Sequence, residues 1–272
     1  MGSTQFGKFH DFCRDSTLPV CNLFIKNNQP PNVNFNGCAL TGIPLSNDRH
    51  LANLGSILLA FFAILTSLFL LWRSERKQAA VGRREMQLFL LGFIVIEICE
   101  IFSVGGFPLH SAVRKGFSAA HIASITATCW VLLLNALVGY QFLDDGTPIS
   151  IGLCVSSALV FFIGTGYIAL DTGFNWTGEF APDPATEYRN IALYVLYLLF
   201  PLVCLVVFFV LETVLVIRIL GELRPMCTFP SYELTRVSNN RVSLPGRRRS
   251  ALRHWPNLRL CHQHPPVSSF TR

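Results

Sequence analysis

The sequence predicts an all-α protein: a polytopic membrane helix bundle with five transmembrane helices, followed by a disordered basic C-terminal tail. Three observations predict it. Of 272 residues, 51% are apolar and only 14% charged, with a mean hydropathy of +0.44, too apolar for a disordered chain or an average soluble domain. Five runs, residues 51–72, 88–107, 117–142, 149–170 and 191–217, reach the roughly 20 residues that span ~30 Å of hydrocarbon at ~1.5 Å per residue. No Lys or Arg falls inside any of them. A soluble core helix keeps a charged wet face, whereas these are apolar all round.

Residues 1–50 read as a lumenal N-terminal segment. They lack the continuous apolar stretch of a cleavable signal peptide, being interrupted by Arg14, Asp15, Pro19 and Lys26. The first span then serves as the insertion signal. With the first loop, the third loop and the C-terminus in the cytosol, fifteen Lys and Arg lie inside and seven outside, so the N-terminus is lumenal and the C-terminus cytosolic. The short first loop alone holds Arg73, Arg76, Lys77, Arg83 and Arg84. An oxidising lumen permits one disulfide among Cys13, Cys21 and Cys38, in any of three pairings, with one thiol left over. Cys99, Cys129, Cys154 and Cys204 lie within spans and read as small buried hydrophobes.

The second span carries Glu97 and Glu100, whose i, i+3 spacing puts both on one helix face. Charge in hydrocarbon is costly, so these carboxyls should point into the bundle, protonated or paired. A structural polar contact is the plainer reading and a proton or cation pathway the sharper one. The third span has a small-residue stripe, Ala119, Ala123 and Ala127, that lets a neighbouring helix approach closely. Its His121 stands alone and reads as structural, not as a metal ligand. Asp145-Gly146-Thr147-Pro148 reads as a polar turn, with Thr147 the N-cap and Pro148 the first residue of the next helix. Gly152, Ser156, Gly164 and Gly166 mark close contacts on the fourth span. The sequon Asn175-Trp176-Thr177 begins five residues beyond Leu170; it reads as an unmodified interfacial turn, with glycosylation of Asn175 the lesser alternative. At 27 residues the fifth span must tilt, kink at Pro201 or project beyond the bilayer.

No phosphate-binding Gly-rich loop, no H-E-x-x-H, no G-x-S-x-G and no Asp-rich metal motif occurs, and Cys261, His262 and His264 lack a fourth ligand. The sequence therefore reads as a protein that is not an enzyme, with no cofactor, no metal and no nucleic-acid partner.

Several stretches carry a resemblance: Leu18-Pro19-Val20-Cys21; Ala80-Val81-Gly82-Arg83-Arg84-Glu85; Cys129-Trp130-Val131-Leu132-Leu133-Leu134-Asn135 running to Val138-Gly139-Tyr140-Gln141; Asp145-Gly146-Thr147; Gly164-Thr165-Gly166-Tyr167-Ile168-Ala169-Leu170-Asp171; and the run from Ala192 to Met226. In this order they resemble the fungal chitin synthase export chaperone family, over residues 1 to about 226. The resemblance implies a multi-pass endoplasmic reticulum membrane protein that helps a chitin synthase, itself a membrane protein client, to fold and leave that compartment, supporting cell-wall chitin synthesis. The contact surfaces expected from the residues are the basic first loop at Gly82, Arg83 and Arg84, the Asp145-Gly146-Thr147 turn, and the Glu97/Glu100 face. Self-association is a further expectation for a bundle with unmatched faces.

The transmembrane bundle is thus assigned to residues 51–226. Family members continue with about two more apolar spans, whereas residues 227–272 hold eight Arg, no Lys and one acidic residue and read as a disordered Arg/Pro/Ser-rich tail. That switch reads as a C-terminal truncation, a retained intron or a shifted frame. A small transporter or channel, or a receptor-like membrane protein, is the alternative; the first would be expected to show paired half-repeats with broken helices.

Overall fold

The computed structural model describes residues 6–25, 43–45, 49–51, 53–76, 82–104, 110–140, 147–181 and 188–219, all within one unit, Met1–Glu222. A short helix α1 (His10–Asp15) and a 3-10 turn (Pro19–Phe24) come first. A small antiparallel ladder follows, β1 (Ile43–Leu45) with β2 (Arg49–Leu51), in register Ile43 to Leu51. Then come α2 (Leu54–Glu75), α3 (Arg83–Val104), α4 (Ser111–Gly139) and α5 (Pro148–Phe174), and finally α6 (Ile191–Tyr194) and α7 (Phe200–Val214), joined by a π-turn. Five helices are long and apolar enough to cross a membrane, the last running through Ile191–Ile217.

Local chemistry sets the helix starts. The Asn53 side chain accepts the Ser56 amide at 3.2 Å to open α2, and Thr147 Oγ1 accepts the Ser150 amide at 3.2 Å to open α5, with Pro148 next. Both are N-caps that satisfy an otherwise orphaned amide. Gly82 opens α3 at φ +70°, in the left-handed region, and a Cβ there would meet Asn135 Oδ1 at 3.1 Å. The conformation favours glycine there, and the space is tight.

The helices extend past the apolar runs. α3 begins at Arg83 and α4 at Ser111, because a helix continues through polar residues once its first turn is capped. Arg114 and Lys115 therefore belong to the first turns of α4, and Lys115 is buried. Cys38, Asp145, Gly146 and the tail at 227–272 lie outside the described residues.

α4 is the central helix, with half of its most apolar stretch buried against 11–17% in the other four. The small-residue stripe explains how neighbours come close: Ala119 and Ala123 are buried, and a Cβ on Gly166 of α5 would sit 3.6 Å from the Ala123 Cβ. Across the other interface, a Cβ on Gly92 of α3 would fall 2.5 Å from Thr128 Oγ1, so only glycine fits. Trp130 fastens α4 to two neighbours: its Nε1 donates to Ser157 Oγ at 3.0 Å, while Phe161 bridges the Trp130 and Phe200 rings at centroid distances of 4.8 and 4.9 Å. Aromatic contacts of this kind add packing and orientation together.

The fifth crossing shows how Pro201 is accommodated. The Phe200 amide bonds to Val195 O in the π register, which leaves Leu196 O for the next residue, and Pro201 has no N–H to give it. Thr126 Oγ1 of α4, itself fully buried, shares its one proton between Ile122 O at 3.1 Å and Leu196 O at 3.3 Å. A neighbouring hydroxyl thus satisfies a carbonyl that hydrocarbon cannot. Thr126→Val should lower stability by about 1 kcal/mol and Thr126→Ser should not, as read by unfolding of the purified protein in detergent.

Candidate functional site

Polar side chains concentrate at the two ends of the bundle and at one acidic face between them. The first end is closed by residues 6–25. Phe9, Val20, Leu23 and Phe24 are buried together with Ala119 and Ile122 of α4, Ala169 of α5 and Leu193 of α6. A Cys13–Cys21 disulfide ties α1 to the 3-10 turn, selecting one of the three pairings open to the sequence. Beneath this plug, Asn22 Nδ2 donates to Ser103 O at 3.0 Å and to Ser118 Oγ at 2.9 Å. Lys115 Nζ donates to Gly173 O at 2.9 Å, at the α5 C-terminus where orphan carbonyls favour a cation.

Asp171 organises the other side of this cap. Fully buried, its carboxylate accepts the Thr177 amide at 2.6 Å, the Thr177 hydroxyl at 2.8 Å and the Phe180 amide at 3.2 Å. Asn190 Nδ2 then reaches Thr172 Oγ1 at 2.9 Å and Phe180 O at 3.3 Å, while its Oδ1 accepts the Leu193 amide. The Asn190 amide donates to Gly7 O at 2.9 Å, returning the network to the plug.

The sequon lies inside this arrangement. Asn175 is the left-handed C-cap of α5 at φ 55°, Trp176 stacks on Phe174 at 5.6 Å, and Thr177 is held by Asp171. We expect Asn175 to carry no glycan, so glycosidase treatment should leave electrophoretic mobility unchanged.

On the outer surface of the plug, Phe6, Phe12 and Tyr194 line a groove of about 640 Å³ with Asp11 and Asp15 at its rim. Arg14 pairs with both acids, at 3.1 and 2.8 Å, and its hydrogen bond holds the Asp15 carboxyl below the usual carboxylate range. The rim charge is therefore largely internally compensated.

The opposite end gathers the α2–α3 connection. Arg84 lies 3.4 Å from Glu75 Oε1, and Gln87 Nε2 donates to Ser74 Oγ at 3.1 Å and to Glu75 Oε1 at 3.2 Å. Arg83 donates to Glu75 O at 3.3 Å. Arg83 and Arg84 thus clasp α2 to α3, with Gly82 before them facing Asn135 of α4 and the Arg84 side chain 49% exposed. Glu85 turns inward instead and accepts Ser150 Oγ of α5 at 3.3 Å. Thr147 caps that same helix, so two of the sequence-derived surfaces, as far as they are described, share this end.

Glu97 and Glu100 stand in the half of α3 nearer the plug. Neither is buried: the Glu100 side chain is 36% exposed. His121 Nε2 of α4 lies 3.9 Å from Glu100 Oε2, beyond hydrogen-bond length. Sequence reasoning treated His121 as isolated because i, i+3 patterns report faces of one helix and not pairs across two. Asp171, Asn22 and Asn190 were missed for a similar reason; the only sequence signal was polar side chains at the edges of apolar runs. Among the described residues no group of three or more His, Cys, Asp or Glu is placed to hold a metal ion.

Residues 5–234 match the family profile described as chitin synthase export chaperone. A protein named chitin synthase export chaperone from Cryptococcus neoformans var. neoformans serotype D is 29% identical over 220 residues, covering 80% of this chain and 58% of that protein. Proteins of the same name from Coccidioides immitis and Emericella nidulans are 26% and 25% identical, covering 82% and 81% of this chain and 66% of each relative. The chain thus spans just under two thirds, or less, of the length of these relatives. No solved structure matches it. With a profile match running from the plug through all five helices, the chain belongs to the chitin synthase export chaperone family.

Proposed function

We propose that this chain assists the folding of a chitin synthase and its export from the endoplasmic reticulum, acting through binding and not through catalysis. The observation that carries this is the family match over residues 5–234. The fold supports it: the polar side chains at the two ends are spent on capping helices and joining them, and the long apolar faces of α2 and α7 stay open, as in Leu59 and Phe62 on α2 and Phe209 on α7. A membrane client would be met by such faces and by the Gly82, Arg83, Arg84 turn beside them.

The same reading puts the plug in the lumen, where an oxidant is present to form Cys13–Cys21, and residue 217, five crossings later, in the cytosol. A glycan acceptor fused to the N-terminus should be modified, and one fused after residue 219 should not.

The functional test is expression in fungal cells lacking their own export chaperone, with a tagged chitin synthase followed by microscopy and surface labelling. The synthase should reach the cell surface. Retention in the endoplasmic reticulum, with a longer relative rescuing in parallel, sinks the reading for this chain. Charge reversal at Arg83 and Arg84 that leaves export unchanged removes that turn from the contact surface.

A further inference from the structure

Among the described residues, the acidic face of α3 brings together two carboxyls and a buried imidazole for which no hydrogen bond is found. We propose that Glu97, Glu100 and His121 form an intramembrane docking site for a partner's transmembrane helix bearing a Lys or Arg at the same depth. This deepens the export reading and rests on it, in that the natural partner is the client.

Glu97 and Glu100 share one face of α3 and neither is buried. No hydrogen bond from a described residue reaches either carboxylate, although every other described acidic residue inside α3 and α5, namely Glu85 and Asp171, accepts one. His121 supplies a second, independent sign. Its side chain is only 6% exposed, both ring nitrogens are buried without a hydrogen-bond partner, and Nε2 faces the Glu100 carboxylate across 3.9 Å. Burying an imidazole with neither nitrogen satisfied is unfavourable, as is leaving a carboxylate in hydrocarbon. An incoming cation supplies the donor that the carboxylates and the imidazole lone pair both lack.

The chemistry selects the occupant. Two carboxylates and an imidazole lone pair are acceptors, and an ammonium or guanidinium is a donor with no acceptor of its own. Acyl chains offer no donor. A second copy of this chain does not offer the charge at this depth: its five apolar runs contain no Lys or Arg, and Arg114 and Lys115, in the first turns of α4, lie roughly two helical turns from His121. A helix from another protein, with one basic residue at the depth of Glu100, meets the requirement.

The test uses the full chain, co-expressed with a tagged Leu-rich single-span helix that carries one Lys, one Glu or only Leu at the matching depth. Capture in mild detergent should favour the Lys helix over the Leu helix by about tenfold, the ratio set by one good interhelical polar contact. The Glu97→Gln, Glu100→Gln double variant, which conserves shape, should bring that ratio to about twofold or less. Leu91→Gln, on the outward side of α3, should leave it as it was. Equal capture of the three probes, or a Lys preference that survives the double variant, overturns the proposal. Capture of a chitin synthase is measured alongside. A Lys preference without synthase capture would leave the site standing and remove the export reading; synthase capture without any Lys preference would do the reverse.

Discussion

Asp171→Ala is expected to be the most damaging single change in the cap. One side chain accepts three hydrogen bonds there, from the Thr177 amide and hydroxyl and from the Phe180 amide, and its removal strands those donors in a segment that also positions Asn190. The Asn190 contacts to Thr172 and Phe180 lose their frame in turn, so the α5–α6 connection and the Gly7 bond of the plug loosen together. The unfolding midpoint of the detergent-solubilised protein should drop by several degrees, and steady-state abundance in cells should fall with it. Asp171→Asn keeps an acceptor oxygen and should lie between the two. A midpoint for Asp171→Ala within a degree or so of the parent would show that the cap does not depend on this carboxylate.

Removing the disulfide is expected to act on the same end from the other side. The Cys13–Cys21 bond closes a short loop, with a sequence separation of 8, and bonds of this kind contribute about 2–4 kcal/mol, less for short loops than for long ones. Here the consequence exceeds the bond itself, because Phe9, Val20, Leu23 and Phe24 are held over the bundle by a segment that contains no long helix of its own. The informative variant is the Cys13→Ala, Cys21→Ala double, since a single replacement would leave a thiol able to pair with Cys38. The double variant should lose resistance to protease added from the side of the membrane that the plug faces, near residues 6–25, and the parent treated with reductant should match it. If proteolysis of that segment were unchanged in both, the plug would be held by its apolar contacts alone.

The sequence disclosed what is written along a single helix. The five apolar helices, the Thr147 cap with Pro148 after it and the close approach at Ala123 all follow from periodicity, capping chemistry or side-chain size, which are local. The plug did not show itself. Phe9, followed by Val20, Leu23 and Phe24, lies in a fragment too short and too interrupted to register as a span, and only the ends of α4, α5 and α6 turn these residues into a core. Lys115 illustrates the same limit. Counted as a loop charge it indicates topology, whereas in the fold it caps the α5 C-terminus through Gly173 O. The Glu97/Glu100 face was visible as a face, but its relation to His121 depends on the rotation of α4 against α3, which no spacing within either helix encodes.

The π-turn before Pro201 bears on the order in which the protein is made. Until α4 stands beside it, the fifth crossing carries at Leu196 a bare carbonyl that its own backbone is unable to cover, so it enters the lipid as an unfinished segment. Docking against Thr126 is then expected to accompany the release of this segment into lipid. A chain whose α4 is misplaced is expected to keep that carbonyl uncovered in lipid, for want of one hydroxyl.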